Sequence, residues 1–264
     1  MKIGIVKEIL KGEARVAATP ETVKKMVALN HLVFIEKNAG LGASISDDEY
    51  KNNGAEIVTR DKVLQSDLLL MVRPLDIKEI NTLNSNQFMV GMLEPFNSKL
   101  QAQINDQGVN AFALESLPRN TRAQSMDVLS SQANIAGYKA VILAADYYKK
   151  FMPMLMTAAG TVKAAKVMIL GAGVAGLQAI ATAKRLGAVV EASDVRPSVK
   201  EQIESLGGKF IDVPFETEEE KECAKGEGGY AKPMPKSWLT RQSKIVAEKA
   251  ISADIIITSA LIPG

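Results

Sequence analysis

An α/β chain carrying two mostly parallel sheets is what this sequence predicts, on three observations. Short apolar runs alternate with helix-period segments through both halves, a glycine-rich turn joins one such run to a helix near residue 171, and a long helical stretch separates the halves. At 264 residues the chain has room for two domains, each able to bury its own core.

In the first domain, 1–124, strands are expected over 3–6, 32–36, 67–72, 87–93 and 110–114, each a short apolar run. Between the first two, Thr19 suits a helix N-cap, Pro20 the first helical position and Glu21 the first turn, while Val23, Met26 and Val27 share a face. Pro118 disfavours helix in the residue before it and marks a break over 117–121. A helix is then expected to link the domains over 125–152, with Val128, Ile135, Tyr138, Val141, Ile142 and Ala145 as its core face. The second domain, 153–264, holds strands at 166–170, 189–193, 209–213 and 254–259, which match the first strands of a Rossmann-like sheet.

The glycine-rich turn carries the chemistry. The apolar run 166–170 feeds into Gly171, Gly173 and Gly176, a helical stretch follows, and a second apolar run ends at Asp194, 23 residues after Gly171. A lone G-x-G-x-x-G is weak; one that leaves a strand, opens a helix and meets an acid at that distance reads as a dinucleotide site. Gly171 permits the tight turn, Gly173 lets the backbone approach a pyrophosphate, and Gly176 lets the helix pack on the sheet. Amides around Val174 and Ala175, at the positive end of the helix dipole, would stabilise the phosphate charge. Asp194 can accept two hydrogen bonds from an adenosine ribose and would repel a 2′-phosphate, which favours NAD(H) over NADP(H). Arg196, two residues on, works against that preference. The alternative is a glycine-rich turn of some other α/β protein.

Composition narrows the classes. With 32 basic and 30 acidic residues and no basic block interleaved with aromatics, nucleic acid is not the expected partner. The one cysteine, Cys223, has no internal disulfide partner and no metal-ligand spacing around it, so a reducing, cytoplasmic compartment and no metal are expected. The start of the chain lacks an apolar signal region, and the most apolar long window, 162–183, contains Lys163, Lys166 and the glycine turn, so no direct membrane insertion is expected.

The stretch 215–237 breaks the rhythm with an acidic run, then glycines beside Pro233 and Pro235, and reads as either a functional hinged loop or an insertion without a role. The chain stops at Gly264 directly after the last expected strand. A nucleotide domain normally continues, so the C-terminal part of the second domain is expected to lie on a companion polypeptide or a missing segment.

Most nicotinamide dehydrogenases need a general acid or base, usually His or Lys. The single histidine, His31, sits at the start of an expected buried strand with no acidic partner near it in sequence. Hydride passing from one nicotinamide to another needs no such group, only positioning. The stretch 119–130 offers Arg119, Gln124, Asp127 and Ser130, donors and acceptors suited to gripping a carboxamide at the domain junction; a charged helix start facing solvent is the other reading.

The strings RNTRAQSMDVLSSQ, MTAAGTVKAAKVMILGAGVAGLQAIATAKRLGA, SDVRP, LGGKF, GGYAKPM and TSALIPG closely resemble the NAD(H)-binding component, domain I of subunit alpha, of the proton-translocating NAD(P) transhydrogenase family. The similarity runs along the whole chain. It implies a Re/Si-specific enzyme that passes a hydride between NADH and NADP+ held on a partner domain, coupled to proton translocation by a membrane-spanning subunit. It also implies a homodimer, and a cytoplasmic place peripheral to the inner membrane through partner subunits.

By the same resemblance Arg119, Asp127 and Ser130 would contact the nicotinamide carboxamide and Gln124 would reach toward NADP(H). Gly229, Tyr230, Ala231 and Met234 match a mobile loop that closes over nucleotide, with Tyr230 among the catalytic positions. NAD contacts are implied at Val174, Asp194, Val195, Arg196, Gln242 and Leu261. Alanine dehydrogenase shares the N-terminal pattern and is the alternative, beside a non-catalytic NAD-binding or assembly module. That family uses a histidine and an aspartate for protons, and an arginine and a lysine for the substrate carboxylate. Here Arg15 is present, Arg73 stands where the lysine is expected, and 92–95 holds no histidine.

Overall fold

The computed structural model describes residues 1–118, 120–225 and 232–260, in two units, Met1–Val128 and Leu129–Gly264. In the first, strands β1 (Lys2–Ile5), β2 (Leu32–Glu36), β3 (Glu56–Val58), β4 (Leu68–Leu70), β5 (Phe88–Gly91) and β6 (Asn110–Ala113) form one parallel sheet in the order β3-β2-β1-β4-β5-β6. Helices α1 (Pro20–Ala28), α2 (Asp47–Asn52), α3 (Arg60–Leu64), α4 (Ile77–Ile80) and α5 (Ser98–Gln107) connect them.

The inner strands read as apolar runs because both faces of the sheet are covered there, whereas the edge strand β6 is exposed at Asn110, Ala111 and Phe112. Ile3, Ile5, Val33 and Ile35 belong to one core with Val23 and Tyr50, whereas Phe34, Leu69 and Met89 belong to another with Ile104. Thr19 caps α1 as expected, its hydroxyl accepting from the Thr22 amide, with Pro20 at the helix start. Strand β3 was not expected. It is a three-residue edge strand with Glu56 exposed, too short for a period to show.

The second unit runs α6 (Val128–Tyr147), β7 (Leu155–Thr157), β8 (Gly160–Val162), β9 (Lys166–Leu170), α7 (Val174–Arg185), β10 (Val189–Ser193), α8 (Lys200–Ser205), β11 (Lys209–Phe210), α9 (Glu218–Lys225), α10 (Lys236–Ile251) and β12 (Ile255–Thr258). Its main sheet is parallel, in the order β11-β10-β9-β12, and β7 and β8 form a separate antiparallel pair. The strand expected over 209–213 pairs with β10 only at Lys209 and Phe210.

The expected core face of α6 needs correction in part. Val141 is buried and Ala145 packs on the core as expected, but Ile135 and Tyr138 are half exposed, and Gly137, Ala140, Ala144 and Tyr148 face the core of the second unit instead. The reason is steric. A Cβ at Gly137 would lie 2.0 Å from the Ala175 carbonyl oxygen, so α6 rests against the start of α7 through its smallest residues. A helix apolar on most sides carries no periodicity to select that face. None of the described helices is long and apolar enough to cross a membrane.

The acidic run after Phe215 is partly helical: Glu218, Glu219 and Glu220 occupy the first turn of α9, where the helix dipole favours negative charge. Glu220 is 1% exposed and accepts hydrogen bonds from the Glu216 amide (2.8 Å), the Ser237 hydroxyl (3.0 Å) and Arg241 Nη2 (2.6 Å), tying α9 to α10. Removal from water pushes its carboxyl up, but these donors outweigh that and hold it at about 2. The unfolded chain therefore takes up a proton below the ordinary value of 4.5 that the folded chain refuses. The network stabilises fully above that pH and progressively less as pH falls toward 2. In Glu220→Gln the acid limb of stability against pH is expected to lose slope; denaturation curves at pH 3 to 5 with unchanged slope would contradict this assignment.

Candidate functional site

The second sheet places its chemistry at the carboxyl edge. Strand β9 is the point where strand order reverses, with β10 and β11 on one side and β12 on the other, which is where open α/β sheets bind ligands. Gly171 leaves β9 at φ +94°, a conformation that L side chains avoid, and its amide donates to the Ser193 carbonyl at the end of β10 (2.8 Å). Ser259, just past β12, donates its hydroxyl to the Gly171 carbonyl (2.9 Å), a partner that the sequence did not indicate.

The other two glycines divide the work. A Cβ at Gly176 would sit 1.9 Å from the Gly171 carbonyl oxygen and 2.9 Å from Ser259 Oγ, so this glycine exists for packing. At Gly173, the N-cap of α7, a Cβ would meet nothing within 4 Å. The backbone there faces open space, and the first-turn amides of α7, which have no partner within their own helix, lie beside it. Val174 opens the helix at 42% exposure. A phosphate group fits this cradle by charge and by room.

Asp194 follows β10 directly. Its side chain is 7% exposed and engaged on both oxygens: Oδ2 accepts from the Ala172 amide (2.8 Å) and Arg196 Nη2 (3.0 Å), Oδ1 from the Arg196 amide (2.8 Å) and Arg196 Nε (3.0 Å). Burial raises the carboxyl, but the Arg196 guanidinium and the two amides outweigh it, and it is held below its ordinary value. The glycine turn and the acid expected to serve it are thus joined by one hydrogen bond, Ala172 to Asp194. Val195 is half-buried beside them, and Gln242 lies half-buried in α10.

Of the expected nicotinamide group, Gln124 is exposed in a short helical turn (Gln124–Met126), and half-buried Asp127 caps that turn, its amide donating to the Gln124 carbonyl (3.3 Å). Ser130 is half-buried in the first turn of α6, the helix that meets the start of α7 at Gly137 and through Asn134 Nδ2 to Gln178 Oε1 (3.1 Å). Arg119, Gly229, Tyr230, Ala231 and Leu261 lie outside the described residues.

In the first unit Arg15 does not offer an open fork. Its Nε and Nη2 donate to Glu13 Oε1 (2.8 Å) and Oε2 (2.6 Å), and Arg73 Nε donates to the same Oε2 (3.3 Å). Glu13 is 7% exposed, and the Arg15 guanidinium holds its carboxyl at about 2. One internal carboxylate thus engages both arginines.

The chain matches two family descriptions, "Alanine dehydrogenase/PNT, N-terminal domain" over residues 4–136 and "Alanine dehydrogenase/PNT, C-terminal domain" over 140–264. It belongs to the alanine dehydrogenase/PNT family. Within that family it is 47% identical over 272 residues to the first part of NAD(P) transhydrogenase subunit alpha of Rhodospirillum rubrum, covering all of this chain and 70% of that protein. It is 42% identical over 265 residues to NAD(P) transhydrogenase subunit alpha of Haemophilus influenzae, covering all of this chain and 51% of that one. The crystal structure of transhydrogenase from Sinorhizobium meliloti superposes with a TM-score of 0.85 at 45% identity, over all of this chain and 70% of that structure.

Proposed function

We propose that this chain is the NAD(H)-binding component of a proton-translocating NAD(P) transhydrogenase. NADH lies along the carboxyl edge of the second sheet, its pyrophosphate at the Gly173 cradle and its adenosine ribose at Asp194. A hydride passes to NADP+ held on a partner domain, and a membrane-spanning subunit couples the transfer to proton movement. The observation that carries the reading is the open cradle at Gly173 joined to the anchored carboxylate of Asp194. The relatives named above support it. The chain would act as a homodimer at the cytoplasmic face, peripheral to the membrane.

Hydride exchange between two nicotinamides moves no proton at the reacting carbons, so the site needs alignment at about 3–3.5 Å and no titrating side chain. Arg119, Asp127 and Ser130 would hold the carboxamide, Gln124 would face the second nucleotide, and the segment with Gly229, Tyr230 and Ala231 would cover the first. Val195, Gln242 and Leu261 complete the proposed NAD contacts. The occupied fork at Arg15 weighs against an alanine dehydrogenase reading, because a substrate carboxylate would have to displace Glu13 from two arginines.

Mixing the chain with an NADP-binding partner domain and following reduction of an NAD analogue by NADPH tests the proposal, with light scattering on the same sample to weigh the dimer. Turnover supports it. Nucleotide binding without turnover would make the chain a non-catalytic module, and amination of pyruvate with NADH would return it to the dehydrogenases. Gln124→Asn, one methylene shorter, is expected to slow transfer by about 100-fold, since misplacement of about 1 Å is costly in aligned reactions. NADH affinity should barely change; equal losses in both quantities would contradict the role of Gln124.

A further inference from the structure

The place proposed for the adenosine ribose is already filled by a side chain of this protein. A carboxylate offers about four acceptor directions, and at Asp194 four donors use them. Two are backbone amides, of Ala172 and Arg196, set by the turn after β9 and the path of the chain after β10. They stay whatever side chain stands at 196. The other two belong to a single guanidinium, Nε on one oxygen and Nη2 on the other, both at 3.0 Å.

A ribose 2′,3′-diol makes the same demand, with two adjacent O–H donors for two carboxylate oxygens. The diol and the guanidinium fork are alternative ligands of one acceptor pair. Arg196 is 22% exposed, on a stem able to swing away, while the buried carboxylate is not free to follow it. Once displaced, the guanidinium remains two residues from Asp194. Its charge there offsets the repulsion that Asp194 alone would exert on a 2′-phosphate.

We infer that Arg196 is an internal competitor for the ribose site: its guanidinium occupies the Asp194 acceptor positions that NADH needs, and nucleotide binding proceeds by displacing it. Arg196 therefore limits the affinity for NADH and lowers the selectivity against NADPH. This rests on the placement of the nucleotide proposed above.

The test is Arg196→Leu in the full chain, which keeps an apolar stem and the backbone amide but removes the fork, with NADH and NADPH titrated separately by calorimetry. The Kd for NADH is expected to fall by about two- to tenfold, since the diol replaces the guanidinium's two hydrogen bonds with two of its own and only the difference is regained. The ratio of NADPH to NADH dissociation constants should rise, a change that a merely structural arginine would not produce. Arg196→Lys retains the charge without the bidentate fork and should lie between, which keeps the test available if the leucine variant fails to fold. An unchanged or raised Kd for NADH in both variants overturns the inference while leaving the site in place. Wild-type protein that binds no NADH, or an Asp194→Asn variant that binds it as well as wild type, overturns the site assignment and the inference with it.

Discussion

Gly176→Ala is expected to lower the melting temperature by roughly 3–10 °C, from an overpacking cost of about 1–3 kcal/mol, and to take NADH binding with it. The added methyl would sit 1.9 Å from the Gly171 carbonyl oxygen, a backbone atom that no rotamer change can move aside. Gly171 cannot yield, because its φ of +94°, the hydrogen bond its amide donates to the Ser193 carbonyl and the one its carbonyl accepts from the Ser259 hydroxyl all hold the turn. Gly173→Ala is the matched control. Its φ of −75° suits alanine and its Cβ would meet nothing within 4 Å, so the melting temperature should stay near wild type. Its methyl would nonetheless protrude where a pyrophosphate is proposed to approach, and NADH binding should weaken. Thermal melts and NADH titrations on the two variants separate the roles. Equal destabilisation by both would mean that Gly173 is a packing glycine and that the cradle is not where the nucleotide binds.

Asp194→Ala is expected to weaken NADH binding by roughly 5- to 150-fold, the equivalent of about 1–3 kcal/mol for hydrogen bonds lost to the ribose. The loss should appear in Kd and leave the transfer rate from bound NADH near wild type, because Asp194 grips the adenosine end and not the reacting ring. Part of the effect would come from the protein itself. Without the carboxylate, the Ala172 amide loses a charged acceptor and the Arg196 guanidinium loses this partner inside the site. Asp194→Asn keeps the size and one acceptor oxygen and should fall between. An unchanged Kd in the alanine variant would remove Asp194 from the site.

The dinucleotide signature was legible because its elements are local. Strand, glycine turn, helix, second strand and acid follow one another, and each glycine has a job set by backbone geometry within a few residues. Parallel pairing of β9, β10 and β12 then brings Gly171, Asp194 and Ser259 to one edge. The N-terminal sheet was legible for a related reason: its inner strands, covered on both faces, leave apolar runs, and only β3, too short for such a run, went unseen. The hairpin β7–β8 escaped as well, since all six of its residues are exposed and no burial pattern marks them.

Residue order alone was enough for the α/β class, the glycine turn and the acid that stands beside it. These follow from the succession of residue types along one stretch of backbone. Three other features became visible only in three dimensions: which face of α6 is core, that Glu13 occupies the fork of Arg15, and that Arg196 sits on the oxygens of Asp194. In each case several partners of suitable chemistry lie within reach of one group. The choice among them is made by distance, burial and the removal of water, and the order of residues along the chain carries none of these.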